Sequence, residues 1–390
     1  MQTVQTILKN LAISLSSLVV TLIFLEIAVR IVGAVDASGQ FFFLERRILP
    51  YQLQTEMYRE SIERYLETPA DALLLYDEQT GWILNPNRED VNTYGMRNLF
   101  EPAQTPADDV IRIALFGDSF TEGADVEIDE TWAHILNQCL TERGYNVEIL
   151  NFGVRAYGID QAYLLYQASG VSFEPDIVLF GFHPSDIHRN MTAFRPLVGG
   201  TLAFSKPRFI LQDGDLTLLN QPAIPPEDLI PIYEDFEAHP FFQYEILYDE
   251  RYQEAWWANS RVLSLVAYAT STERSKPFHE FYVKGSEFTV LTDAIVREFG
   301  ASVTANGAEF VVVHLPGRDH LAHLEENDSI TYFSLLDDFS QEYPIIYPET
   351  GLQATNDAHW TTGFHYSAIG NEIMGNNICD TLINDGIIVD

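Results

Sequence analysis

From residue 110 to the end of the chain, short and largely apolar runs alternate with segments that have the period of a helix. The apolar runs lie at residues 110–116, 147–152, 176–182, 309–314 and, more briefly, 345–347. Strands of this kind are buried on both faces, as in a parallel sheet with helices on either side. The pattern predicts an α/β fold, a three-layer α/β/α sandwich around a parallel sheet of about five strands.

Helices are predicted between and after these strands. They lie at about residues 131–143, 160–169, 287–306 and 367–384, with Ser367 as the N-cap of the last one.

A large insertion, at about residues 191–284, separates the third predicted strand from the fourth. Within it, two apolar runs flank the pair Asp213 and Gly214, which is typical of a tight hairpin turn. An insertion at this place can cover a site at the carboxyl ends of the strands, or it can be a subdomain with no part in that site. The sequence leaves both interpretations open.

Acidic residues greatly outnumber basic ones. The chain has 57 Asp and Glu against 22 Lys and Arg, which gives a formal net charge of −35 over 390 residues. Such a surface repels phosphate backbones, so we predict no nucleic-acid partner. Hydrophobic residues make up 46% of the chain, which is enough for a sizeable core and excludes global disorder.

Residues 1–36 predict a transmembrane anchor. Residues 11–35 are mostly apolar and, as a helix, are long enough to cross a hydrocarbon core of about 30 Å. Glu26 and Arg30 are one turn apart and predict an ion pair near the interface. Lys9 is the only charged side chain before the run, which favours a cytoplasmic N-terminus and an extracytoplasmic main domain. A signal peptide that is cleaved near residues 35–37 is the alternative.

The rest of the chain is predicted to have two parts. Residues 37–107 lack a strand–helix rhythm and are predicted to form a stalk and a lead-in segment. Residues 108–390 are predicted to form the main domain, which contains the insertion.

Residues 117–123, with the sequence Gly-Asp-Ser-Phe-Thr-Glu-Gly, follow directly on the first predicted strand. Ser119 thus stands where a strand turns sharply into a helix, and the open N–H groups of that helix face any negative charge that develops there. This is where an α/β fold can expose a nucleophile. The segment resembles block I of the SGNH hydrolases, also called GDSL-type lipases and esterases.

Three further segments resemble the other blocks of this family in the same order. Residues 151–158 resemble block II, residues 181–190 resemble block III, and residues 365–371 resemble block V. The lead-in, with its Gly-Trp, Pro-Asn and Gly-Met-Arg elements, is similar to a membrane-anchored branch of the family. The resemblance implies a flavodoxin-like sheet whose carboxyl edge gathers these loops.

The resemblance also implies acyl transfer from an ester. Ser119 would be the nucleophile and His365 the general base. The oxyanion hole would consist of the N–H groups of Ser119 and Gly153 and the side chain at Ser185.

Block III departs from the family pattern. Ser185 stands where an asparagine amide is usual, and a hydroxyl is shorter and rotates freely. His183 is a candidate substitute for the missing donor.

Block V departs from it too. Thr362 stands where the family usually has the acid, three residues before His365, so we expect Asp357 to orient the base. Asp357 also stands two residues before His359, which makes His359 the alternative base. A Ser–His dyad that a backbone carbonyl orients is chemically workable as well.

The chain has two cysteines, Cys139 and Cys379, which exclude a disulfide-rich scaffold and a cysteine-rich zinc site. They lie on the first and last predicted helices, and we expect buried free thiols, with a disulfide as the alternative outside the cytoplasm. We predict no metal and no cofactor, because the histidines and the aspartate of residues 314–323 do not have the spacing of a closed zinc site.

The function that the sequence favours is that of a serine hydrolase acting on a carboxylic ester. The substrate partner would be an O-acyl group, and a carbohydrate or an envelope polymer is a plausible carrier. An O-acyltransferase with the same site is the nearest alternative, because only exclusion of water separates the two activities. A flavodoxin-like binding module and a catalytically inactive envelope scaffold are alternatives from other classes.

Overall fold

The structure is a computed structural model, and it describes residues 2–35, 40–44, 46–248, 252, 256–270, 281–327 and 329–389. The described helices are α1 Gln2–Val32, α2 Thr55–Glu67, α3 Ser119–Glu122, α4 Trp132–Glu142, α5 Ile159–Ala168, α6 Asp186–Arg189, α7 Pro226–Glu234, α8 Arg261–Thr270, α9 Glu287–Ala305, α10 Arg318–Asn327, α11 Phe333–Phe339 and α12 Ala368–Asn384. The described strands are β1 Ala34–Val35, β2 Phe41–Phe43, β3 Arg46–Arg47, β4 Leu74–Asp77, β5 Gly81–Leu84, β6 Ile111–Phe116, β7 Val147–Asn151, β8 Ile177–Phe182, β9 Arg208–Gln212, β10 Asp215–Leu219, β11 Glu309–His314 and β12 Ile345–Ile346.

The chain divides into two compact units. One consists of residues 1–61 and 230–277, and the other of residues 62–229 and 278–390. This division differs from the predicted domains, since the inserted segment is shared between the two units. The alternative cleavage site near residues 35–37 extends beyond the described residues.

The larger unit is built on a parallel sheet of five strands. The strands run in the order β12-β11-β8-β6-β7, and every neighbouring pair is parallel. Counted along the chain these are strands 5-4-3-1-2 of the sheet, which is the flavodoxin-like order. Helices lie on both faces, so the predicted α/β/α sandwich with its large insertion after the third strand is confirmed.

Helices α4 and α12 cover one face of the sheet. Every second residue of β6, such as Ile113 and Leu115, points into the cluster that α4 and α12 close. The two helices approach closely, because a Cβ on Gly375 would lie 2.8 Å from the Trp132 carbonyl oxygen. The backbone N–H of Trp132 also donates to Asn371 Oδ1 at 3.0 Å.

Helices α5 and α9 cover the opposite face, where aromatic side chains fill the space. Phe299 of α9 packs edge-on against Phe116 of β6, with ring centroids 6.0 Å apart. It also contacts Tyr163 of α5 and Phe180 of β8. Both faces of the sheet are thus buried, which explains why its strands are largely apolar.

Cys139 and Cys379 form a disulfide that links α4 to α12, with their Cα atoms 6.3 Å apart. The expectation of free thiols is therefore wrong. It failed because it rested on burial, whereas the close packing of α4 on α12 brings the two residues within bonding range. The bond closes a loop across a sequence separation of 240 residues.

The inserted hairpin and the starts of α4 and α12 lie where the sequence predicts them. Strands β9 and β10 pair in antiparallel register around Asp213 and Gly214, as predicted. Helix α4 begins after Thr131, whose side chain caps it, and α12 begins after Ser367, whose side chain also caps it.

The smaller unit contains α1, one antiparallel sheet and α8. Residues 5–32 of α1 form a helix that is long and apolar enough to cross a membrane, and none of its apolar window is buried. A signal sequence passes the same test of length and composition. Strands β1, β2 and β3 form the small sheet that follows α1.

Reduction of the disulfide should destabilise the larger unit. A cross-link that closes a long loop restricts the unfolded chain, and its loss costs about 2 to 5 kcal/mol of unfolding free energy. Urea unfolding of the full chain in detergent, with and without dithiothreitol, measures the change. The double variant Cys139→Ser, Cys379→Ser is the control and should unfold equally in both conditions. An unfolding midpoint of the parent that is the same with and without dithiothreitol would contradict the prediction.

Candidate active site

Ser119 is the first residue of α3, directly beyond the carboxyl end of β6. Asp118 caps this short helix, because its Oδ1 accepts the N–H of Phe120 at 2.9 Å. The side chain of Ser119 is 7% exposed, so it lies in a recess that solvent still reaches. The turn therefore presents the serine hydroxyl at the edge of the sheet where the predicted loops meet.

Asp118 belongs to a buried cluster of charges behind the serine. Arg189 donates to Asp118 Oδ2 at 2.9 Å, to Asp186 Oδ1 at 2.5 Å and to the Tyr157 carbonyl at 2.8 Å. Burial, together with the charge of Asp118, raises the pKa of Asp186 well above its ordinary value. The pKa of Asp118 is lowered, because nearby positive charge and hydrogen bonds outweigh its burial. Asp118 thus fixes the turn and the block III loop and makes no contact with His365.

His365 reaches Ser119 from a tight turn before α12. The turn closes through an antiparallel bridge between Trp360 and Tyr366 and through a hydrogen bond from Thr361 N to the His365 carbonyl. His365 Nε2 lies 2.8 Å from Ser119 Oγ. The base predicted from the sequence is therefore in contact with the predicted nucleophile.

Asp125 is the acid that contacts His365. Its Oδ2 lies 2.6 Å from His365 Nδ1, and Thr361 Oγ1 donates to the same oxygen at 3.3 Å. A carboxylate only accepts, so Nδ1 carries the proton and Nε2 is free to take the proton of Ser119. Partial burial acts to raise the pKa of Asp125, but the hydrogen bonds from His365 and Thr361 outweigh it, and the pKa lies below its ordinary value.

The turn before His365 leaves room for this carboxylate. A Cβ on Gly363 would lie 2.0 Å from Asp125 Oδ2, so a larger residue there would displace the acid. Asp125 itself has a φ of 69°, a left-handed conformation that aspartate adopts more readily than most residues.

Arg97, from the lead-in segment, holds the loop that carries Asp125. Its guanidinium donates to the carbonyl of Gly123 and, at 2.7 Å, to that of Val126. Asp90 holds the guanidinium in turn, with Arg97 Nε at 2.9 Å from Asp90 Oδ2. The lead-in thus fixes the backbone on both sides of Asp125, a role that the sequence did not reveal.

Glu122 supports the same loop from the other side. Its side chain is fully buried and accepts hydrogen bonds from the backbone and the guanidinium of Arg155 and from Arg88. The carboxylate is thereby paired with two cations, as a buried charge requires. The charge of Arg155 also helps to keep the pKa of Asp125 low.

The structure does not bring Asp357 or His359 to Ser119. The side chain of Asp357 is 88% exposed and pairs with Arg318 at 2.5 Å, instead of contacting His365. His359 is buried, and its ring nitrogens bond to Gln353 N and to the Asn356 side chain, both at 3.0 Å. The expectation that Asp357 orients the base is corrected here, because a loop from the other end of the domain supplies Asp125 at that place.

Two of the predicted oxyanion donors, the N–H groups of Gly153 and Ser119, differ in whether they already have a hydrogen-bond partner. The N–H of Gly153 donates to Asn151 Oδ1 at 2.9 Å, and a Cβ on Gly153 would lie 2.3 Å from Glu122 N. Close packing of the two loops is therefore what demands glycine at that position. Within the described part of the chain, the backbone N–H of Ser119 has no hydrogen-bond partner and stays available as a donor.

Ser185, the residue directly before α6, stays the candidate for the third donor. His183 does not replace the missing asparagine amide. His183 Nδ1 lies 2.8 Å from the Leu315 carbonyl oxygen, so Nδ1 carries the proton and Nε2 of the neutral ring can only accept. Burial lowers the pKa of His183 to about 4, which keeps the ring neutral.

The histidines of residues 314–323 have structural partners. His314 Nε2 lies 2.8 Å from the Tyr332 hydroxyl and its Nδ1 lies 3.0 Å from Glu349. His320 Nε2 lies 3.3 Å from the Tyr282 hydroxyl. Among the residues that the structure describes, no group of three or more His, Cys, Asp or Glu side chains could hold a metal ion.

Solved structures similar to this chain include esterases and lipolytic proteins. The chain is similar to TesA, with 10% identity over 70% of this chain and 97% of that one and a TM-score of 0.38. It is similar to a member of the lipolytic protein G-D-S-L family from Veillonella parvula, with 12% identity over 70% and 98% and a TM-score of 0.35. It is also similar to a catalytic mutant of Axe2, an acetylxylan esterase from Geobacillus stearothermophilus, with 9% identity over 69% and 93% and a TM-score of 0.37.

No protein-family model and no curated protein matches the chain. Identities of 9–12% and TM-scores of 0.35–0.38 do not by themselves assign a function to this chain.

His183 should make the protein less stable in acid. Its pKa in the folded state is about 4, below the ordinary value of 6.5, so the unfolded chain binds the proton more tightly. The stability that the neutral ring provides is complete above about pH 6.5 and is lost as the pH falls towards 4, by about 3 kcal/mol. Urea unfolding of the parent and of His183→Asn at pH 7 and pH 4.5 measures this. The parent should lose more stability than the variant, and equal losses would contradict the prediction.

Proposed function

We propose that the protein is a serine esterase in which Ser119 is the nucleophile, His365 the general base and Asp125 the acid. One observation carries the proposal: His365 bridges Ser119 Oγ at 2.8 Å and Asp125 at 2.6 Å through its two ring nitrogens. This is the arrangement in which an imidazole can take a proton from a hydroxyl while a carboxylate stabilises the resulting imidazolium.

The reaction proceeds in two acyl transfers. Ser119 Oγ attacks the ester carbonyl carbon as its proton moves to His365 Nε2. The tetrahedral intermediate collapses, the carbon–oxygen bond to the alcohol breaks, and His365 returns the proton to the leaving alkoxide. Water then attacks the acyl-enzyme through the same base and releases the carboxylic acid.

The oxyanion hole is the weaker part of the site. Ser119 N–H is available to the developing oxyanion, whereas Gly153 N–H already donates to Asn151 Oδ1. Loss of a single such donor typically lowers the rate about a hundred- to a thousandfold. We therefore expect good turnover only with esters whose carbonyl is reactive or whose binding reorders these loops.

The compartment that fits this enzyme is outside the cytoplasm. Helix α1 can serve as the anchor, and the disulfide between Cys139 and Cys379 favours an oxidising environment. A membrane-anchored esterase with its catalytic unit outside the cell would meet acylated carbohydrates and envelope polymers, which remain our predicted substrate class. An acyltransferase stays the nearest alternative, since the same three residues would serve it.

The first test is covalent labelling of the full chain in detergent with a fluorophosphonate. An activated Ser119 should give a single adduct in the intact mass, and Ser119→Ala should give none, because that variant lacks the hydroxyl that contacts His365. Ser185→Ala is the matched control and should still be labelled. Absence of an adduct on the folded parent would overturn the proposal and favour the inactive scaffold.

The second test separates the two candidate acids. Asp125→Asn should lower kcat/KM for an activated acetyl ester about a thousand- to ten-thousandfold, because the amide no longer stabilises the imidazolium. Asp357→Asn removes a solvent-exposed carboxylate and should leave kcat/KM near the parent value. The reverse pattern would mean that Asp357 moves to His365 during catalysis.

A further inference from the structure

Helix α8, from the inserted segment, is docked on α1 within the smaller unit. The Glu26 carboxylate of α1 accepts hydrogen bonds from Ser260 Oγ at 2.9 Å and from the backbone N–H groups of Arg261 and Val262 at 2.9 and 3.1 Å. Glu26 therefore caps the first turn of α8, and it does so from 235 residues away.

Arg30 of α1 also contacts the start of α8. We call the contacts of Glu26 and Arg30 with residues 259–262 the polar junction. It donates to Glu26 at 2.7 Å and to the carbonyl of Asn259 at 2.7 Å. The ion pair that the sequence predicted within α1 is thus half of a larger polar contact. Each charged group of α1 in this region is matched by a group at the start of α8.

Apolar surface surrounds the polar junction. Trp256, in the turn before α8, is 87% exposed, and Leu263 and Val266 on α8 are 37% and 52% exposed. The neighbouring residues Ile23 and Phe24 of α1 are 53% and 68% exposed. Between α1 and α8 lies an open groove of about 670 Å³ whose lining is apolar apart from the junction itself.

We propose that α8 and the preceding turn, Trp256 and Trp257, lie in the lipid hydrocarbon beside α1. They would occupy the leaflet that holds the C-terminal end of α1, where Glu26 and Arg30 stand. The partner of this surface is the acyl-chain region of a bilayer. Ten residues of helix extend about 15 Å, which is half of a hydrocarbon core of roughly 30 Å, so α8 enters one leaflet and does not cross.

The polar junction makes the start of α8 compatible with lipid. The first N–H groups of a helix have no partner within the helix, and capping side chains or water satisfy them. In hydrocarbon those groups and the Glu26 carboxylate would each be costly to leave alone. Their mutual satisfaction, together with Arg30, allows the first turn of α8 to sit at membrane depth.

The apolar surface supports the same conclusion. From Val262 to Thr270 the helix has no charged side chain, and its exposed apolar residues continue the exposed apolar surface of α1. A contiguous apolar surface of this kind on a folded protein marks an interaction site. Since α1 is itself suited to a bilayer, the surface continuous with it faces the same medium.

Tryptophan quenching by brominated lipids tests the proposal on the full chain. The other tryptophans, Trp82, Trp132 and Trp360, are buried in the larger unit, at most 6% exposed. In vesicles of phosphatidylcholine brominated on its acyl chains, the parent should lose emission relative to unbrominated vesicles. The double variant Trp256→Phe, Trp257→Phe should lose none. Equal loss in the parent and the variant, or no loss in either, would overturn the proposal.

Labelling of single introduced cysteines provides a second measurement that does not depend on the tryptophans. The native cysteines are joined in a disulfide, so Val266→Cys adds one free thiol. In vesicles it should resist a membrane-impermeant maleimide, while Asp213→Cys, in the exposed hairpin turn, should react. Ready labelling of Val266→Cys would overturn the proposal, and so would a disulfide-linked dimer, which would mean that a second copy covers the surface.

Alkaline carbonate extraction tests whether α1 anchors the protein, independently of whether α8 lies in the bilayer. Protein that stays with the membrane while Trp256 escapes quenching would keep α1 as the anchor and overturn the role of α8. Protein that is extracted would overturn both.

Discussion

The packing of α12 on α4 is the contact on which the candidate site depends. Ser119 and Asp125 stand shortly before α4, and His365 stands shortly before α12, so the site exists only while these two helices lie side by side. The hydrogen bond from Trp132 N to Asn371, the close approach at Gly375 and the disulfide all fix that pairing. The residues that hold the helices together therefore also hold the base against its partners.

The sequence predicted most of the sheet and two of the three side chains of the proposed triad. The strands were predictable because a parallel sheet covered on both faces leaves unbroken apolar runs, and Ser119 and His365 stand beside recognisable turns and caps. Asp125 was missed because we sought the acid close to His365 in the chain. No local pattern marks it, since its position depends on a left-handed backbone and on the clamp from Arg97, which joins segments distant in sequence.

The remaining errors have the same origin. Whether two cysteines bond depends on how closely two helices approach, and their placement on the first and last helices left both outcomes open. Glu26 was correctly predicted to pair with Arg30, but its contact with the first turn of α8 is a tertiary contact over more than 230 residues. In each case the missing information was the distance between elements, which periodicity and propensity do not contain.

The three side chains of the candidate site come from two distant parts of the chain. Ser119 and Asp125, the proposed nucleophile and acid, are six residues apart on one loop that Arg97 holds, while the proposed base, His365, comes from the other end of the domain. A small shift of the turn before α12 would break both hydrogen bonds of His365 together and leave Ser119 and Asp125 in place. The site is therefore either complete or wholly disconnected, and a single segment of the chain governs which of the two it is.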